Sequence, residues 1–75
     1  MAMLRVLSSR GDDGLEYDPA VDDERLRRAR AEFAARVREG YLAFVPDRSG
    51  TGATHIRRFD PRAREIILQP PLAGG

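Results

Sequence analysis

Glu65-Ile66-Ile67-Leu68-Gln69-Pro70-Pro71 is the stretch on which the fold turns. Two consecutive branched residues, Ile66 and Ile67, suit a strand in the middle of a sheet better than one at its edge. Pro70 and Pro71 end that strand, because neither can donate to a ladder. Glu65 and Gln69 turn to solvent, so alternation points Ile66 and Leu68 inward and Ile67 outward. The other candidate for the centre is Met3–Ser9 (MLRVLSS). There an outward Arg5 puts Leu4 and Val6 inside and leaves Leu7 outside. If these two ends of the chain are neighbours they run parallel, and a helix forms part of the connection between them.

The residues between supply the rest. Arg10–Gly14 (RGDDG) reads as a hairpin turn and Leu15–Asp18 as the returning strand. Asp18-Pro19 breaks the strand. A helix starts at Asp22 or Asp23, either of which can cap it, with Glu24 favouring its positive end. Leu26, Ala29, Phe33 and Val37 form its core stripe at spacings of three and four. Arg25, Arg28, Glu32, Arg36 and Glu39 cover the other face, and Gly40 stands where a helix-ending glycine belongs. Tyr41–Val45 reads as a strand, Pro46–Thr54 as a polar loop, His55–Phe59 as a strand and Asp60-Pro61 as a turn. The order is ββαβββ. This predicts an α+β fold in which one helix covers one face of a mixed four- to five-stranded sheet.

Composition narrows the function. The chain has 75 residues, 41% of them apolar, enough for one sheet–helix layer pair and too few for a deep catalytic pocket. It is therefore not expected to be an enzyme. The absence of Cys excludes disulfides, cysteine zinc sites and thiol nucleophiles, and His55 alone cannot build a zinc site. No catalytic or metal-ligating residue is assigned. His55, Asp60 and Ser49 have the residue types of a triad without its local motif, and Gly50-Thr51-Gly52 lacks the spacing and lysine of a phosphate loop. No apolar run approaches membrane-spanning length and no export signal is evident, so a cytoplasmic protein without membrane contact is expected.

The net charge of +1 conceals a division. Residues 1–24 hold two Arg and seven acids, giving −5, while residues 25–75 hold eleven Arg and five acids, giving +6. All 13 basic residues are Arg; the chain contains no Lys. Such a composition is typical of a GC-rich bacterial genome. It also leaves no side-chain amine to receive an acyl group.

The hairpin–helix–strands order, the EIIL of the last strand and the ending Pro70-Pro71-Leu72-Ala73-Gly74-Gly75 resemble the ubiquitin-like β-grasp family. The ending by itself is most similar to the sulfur-carrier branch. The region Gly40–Phe59 departs from the usual carrier pattern, and the hairpin is unusually acidic. The resemblance implies a β-grasp domain over residues 1–71 and a tail over residues 72–75. It implies that Gly75 carries the reactive carboxylate, with Gly74, Ala73 and Leu72 threading into a partner enzyme. Glycine suits that passage because it lacks a Cβ, and the two prolines reduce the entropy lost on threading. The chain itself would bind no cofactor; ATP and magnesium would sit on an adenylating partner. A conjugating enzyme, a processing peptidase and a protein target would complete the partners. A modifier passes through a Cys thioester to a target amine, whereas a sulfur carrier ends as a thiocarboxylate. A third reading, from outside the family, is a non-covalent binding module or complex subunit with an incidental tail.

Two surfaces are candidates for partner docking. If the first and last strands are neighbours, Leu7 and Ile67 form an apolar patch on the open sheet face, extended by Tyr41 or Ala43. Arg57, Arg58, Arg62 and Arg64 cluster in sequence beside His55 and Phe59. They read as an exposed arginine-rich turn, or as a surface that meets an acidic groove on the activating enzyme. A near-neutral charge and the lack of a recognised motif argue against nucleic acid.

Overall fold

The structure, a computed structural model, describes residues 1–71. Its elements are β1 (Ala2–Ser8), β2 (Gly11–Tyr17), α1 (Glu24–Arg38), β3 (Leu42–Pro46), β4 (Ala53–Ile56) and β5 (Glu65–Gln69). They form a small α+β domain with one five-stranded sheet in the order β2-β1-β5-β3-β4. β1 and β5 are parallel at the centre, and the other pairings are antiparallel. The arrangement is compatible with a β-grasp.

The central pair follows the alternation in the sequence. Leu4, Val6, Ile66 and Leu68 are buried towards the helix, while Arg5, Leu7 and Ile67 lie on the open face, half-buried. On α1, Leu26, Ala29 and Phe33 are buried and Val37 packs against them. The Asp23 carboxylate caps the helix by accepting from the Leu26 amide at 3.1 Å. At the other end the Gly40 amide donates to Val37 O and the Tyr41 amide to Arg36 O, both at 3.0 Å. That pair of bonds requires a left-handed residue between them, and Gly40 supplies it at φ +100°.

Several boundaries differ from expectation: β1 and β3 are each shifted by one residue, and β4 starts at Ala53 instead of His55. The hairpin turn is shorter than Arg10–Gly14, because Gly11 (φ +125°) absorbs the reversal and already pairs with Ser8. Asp12 and Asp13 therefore continue the ladder opposite Leu7 and Val6, and Asp12 gains Arg5 as a partner at 3.1 Å. Gly14 lies within the strand, where a Cβ would come 2.8 Å from Met3 Sδ. β4 stops at Ile56 instead of running to Phe59. The chain leaves the sheet there so that Phe59 can pack its ring against Tyr17 and Phe33, each with centroids 5.7 Å away. No helix among the described residues is long and apolar enough to cross a membrane.

Candidate functional site

Three places matter: the point where the chain leaves the sheet after β5, the open sheet face and the arginine surfaces. β5 is the middle strand, so its last residue delivers the chain to the end of the domain between β1 and β3. Pro70 is half-buried and Pro71 exposed. Pro71 abuts the end of α1: a Cβ on Gly40 would lie 3.7 Å from Pro71 Cβ. Leu72, Ala73, Gly74 and Gly75, the expected threading and reactive residues, lie outside the described residues.

On the open face, register sets Arg5 beside Ile67, Ile67 beside Phe44 and Phe44 beside His55. Arg5 is tied to Glu65 and to Asp12, joining β5, β1 and β2. These contacts raise the Arg5 pKa above its ordinary value, chiefly through the hydrogen bond to Glu65. The Phe44 and His55 rings stack obliquely at 5.4 Å. Leu42 lies next to Gln69 and is 40% exposed. Leu7, two residues along β1 from Arg5, joins Ile67, Phe44 and Leu42 on this face.

Tyr41 and Ala43 do not extend that patch. Ala43 is buried on the helix side, and Tyr41 packs against the core with the Arg36 guanidinium over its ring at 5.5 Å. Residues 41–45 are all apolar, so no polar side chain marks the phase of β3, and packing under the helix sets it. Phe44 and Leu42 are the residues the sequence reading missed. No local signal in the sequence marked them, since burial of Ala43 under the helix decides the face.

The four arginines are not one cluster. Arg57 and Arg58 face α1 across a groove, opposite Arg30 and Arg38. Arg62 and Arg64 lie with Arg48 in a separate recess that also contains Asp47, Asp60 and Glu65. The Asp60 turn separates the two sets. Its carboxylate accepts from the Arg62 amide at 2.9 Å, and the Ala63 amide closes back on Asp60 O at 3.2 Å. Among the described residues, no three His, Asp or Glu side chains gather as metal ligands.

Comparison with protein-family models, with curated proteins and with solved structures finds no match to the chain.

Proposed function

We propose that the protein is a ubiquitin-like modifier of the β-grasp family, acting through the carboxylate of Gly75. A carboxylate oxygen attacks the α-phosphorus of ATP on an adenylating partner, and pyrophosphate leaves. A partner Cys thiolate then attacks the acyl-adenylate carbonyl and AMP leaves. Finally a target amine attacks the thioester and expels the thiolate. The chain is the substrate of each enzyme in this series.

The observation that carries the reading is the position of β5. The strand preceding Pro70-Pro71-Leu72-Ala73-Gly74-Gly75 is the central one, paired in parallel with β1, and it releases the chain beside the C-terminal end of α1. A Gly-Gly sequence following such an exit suits entry into a narrow active site. The reading holds whether Gly75 is the translated end or is uncovered by a processing peptidase. The absence of Lys also fits, since a modifier without side-chain amines cannot be conjugated to its own side chains at Lys.

A second reading, a sulfur carrier, is favoured by the Pro-Pro-Leu-Ala-Gly-Gly wording of the ending. There hydrosulfide attacks the acyl-adenylate carbonyl, AMP leaves, and Gly75 ends as a thiocarboxylate. ATP–pyrophosphate exchange by a candidate adenylating enzyme tests the shared first step. Exchange that depends on this chain and is lost on deleting Gly74 and Gly75 supports both readings; exchange indifferent to the deletion contradicts both.

A further inference from the structure

The groove between α1 and the segment after β4 has a composition that the tail chemistry does not use. Its floor is apolar, made by Phe33, Val37 and Phe59, with the small Ala34 leaving room above it. Its walls carry Arg30, Arg38, Arg57 and Arg58, and no acidic residue lines it. Among the described residues, none of these four arginines joins an ion pair, in contrast to Arg5, Arg27 and Arg36. Guanidinium groups stay charged at any physiological pH. Four of them around an apolar floor repel one another, and a ligand carrying carboxylates relieves that repulsion while burying the floor.

We propose that this groove binds a short acidic peptide segment with a bulky aliphatic centre. Arg30, Ala34 and Arg38 lie at successive i+4 steps along α1. That run spans about 12 Å at 1.5 Å per residue, the length of about four residues of extended chain. The aliphatic side chains pack on Ala34, Val37 and the part of the half-buried Phe59 that Arg30 leaves uncovered, and the flanking carboxylates meet the arginines. A single nucleic-acid strand carries negative charge too, but it needs an open aromatic face for its bases. Phe59 offers none: Arg30 lies over its ring at 5.0 Å, and Tyr17 and Phe33 pack around it. The proposal stands apart from the tail chemistry, because the groove contains no residue after Phe59.

The test is a titration of the full chain followed by its backbone amide spectrum, with a capped hexapeptide of four aspartates flanking two central leucines. Saturable shifts are expected in Arg30–Arg38 and Arg57–Phe59. Replacing both leucines by serine lowers affinity by about tenfold or more. So does Arg38→Glu combined with Arg58→Glu, two exposed sites whose native spectrum verifies folding. Equal affinity for the serine peptide, absence of shifts at the groove, or tighter binding of oligothymidylate overturns the proposal. Groove shifts that appear on concentrating the protein without peptide also overturn it, assigning the groove to a second copy of the chain.

Discussion

Leu4 on β1 and Ile66 on β5 are register partners in the parallel pairing at the centre of the sheet, and neither exposes any surface. This contact joins residues near opposite ends of the chain. It closes the domain and fixes where the tail emerges. Leu4→Ala or Ile66→Ala removes fully buried methyl groups under α1, where the surroundings cannot collapse completely. Each is expected to cost about 2–5 kcal/mol, and the pair is expected to be non-additive because the side chains are neighbours. Urea unfolding of both single variants and the double variant measures this.

Tyr17 is fully buried, and its hydroxyl has no hydrogen-bond partner among the described residues. Tyr17→Phe removes that unpaired group and keeps the ring packing against Phe59. It is expected to raise stability by about 1 kcal/mol. Burial first, and then the nearby Asp60 charge, push the Tyr17 pKa above its ordinary value of 10.0. An unfolded tyrosine ionises before the folded one does. The native protein therefore keeps this contribution below about pH 10 and loses it as pH rises through the higher folded pKa. Denaturant midpoints above pH 10 are expected to fall more steeply for the native chain than for Tyr17→Phe.

Gly40 and Gly14 separate two reasons for a glycine. At Gly40 an added Cβ would touch Pro71 only at ordinary contact distance, so the cost of Gly40→Ala comes from φ +100° alone. It is expected to be about 1–2 kcal/mol. At Gly14 the backbone is ordinary and the Cβ would meet Met3 Sδ at 2.8 Å. Met3 is flexible and its thioether can turn aside, so Gly14→Ala is expected to cost less than Gly40→Ala, and Met3→Ala is expected to remove what cost there is. A double-mutant cycle by thermal unfolding distinguishes the two positions.

Ile67 and Phe44 are neighbours on the open face, half-buried and outside the core under α1. Alanine at Leu7, Ile67 or Phe44 is expected to leave the fold intact and to weaken capture by the adenylating partner. Surface-immobilised partner and each folded variant give the comparison. Unchanged capture by all three variants removes this face from the docking surface.

Much of this was legible wherever a polar residue anchored the pattern. Arg5 set the phase of β1, Glu65 and Gln69 set that of β5, and Asp23 with Gly40 bounded α1. The parallel direction of β1 and β5 was legible only on the condition that the two strands are neighbours, which the structure supplies. The phase of β3 was not legible, because Tyr41–Val45 offers no polar contrast and the helix above decides which residues are buried. The hairpin turn was misplaced because Asp12-Asp13-Gly14 reads locally as a turn, while the ladder and the Arg5 pairing hold it in β2. Of the residues on the open face, Leu7 and Ile67 were legible by alternation. The meeting of Arg57 and Arg58 with Arg30 and Arg38 depends on Phe59 leaving the sheet for the core, a long-range packing event with no local signature.

The central claim concerns a bond made at Gly75, and trypsin gives a direct readout of it. The last arginine is Arg64, so digestion releases Glu65–Gly75 as one piece. In digests from the cells that naturally make the protein, mass spectrometry is expected to find EIILQPPLAGG as a branch on amines of other proteins. The sulfur-carrier reading instead predicts the free peptide with one oxygen replaced by sulfur at its end. Finding only the unmodified free acid, or a peptide that continues past Gly75, contradicts the account.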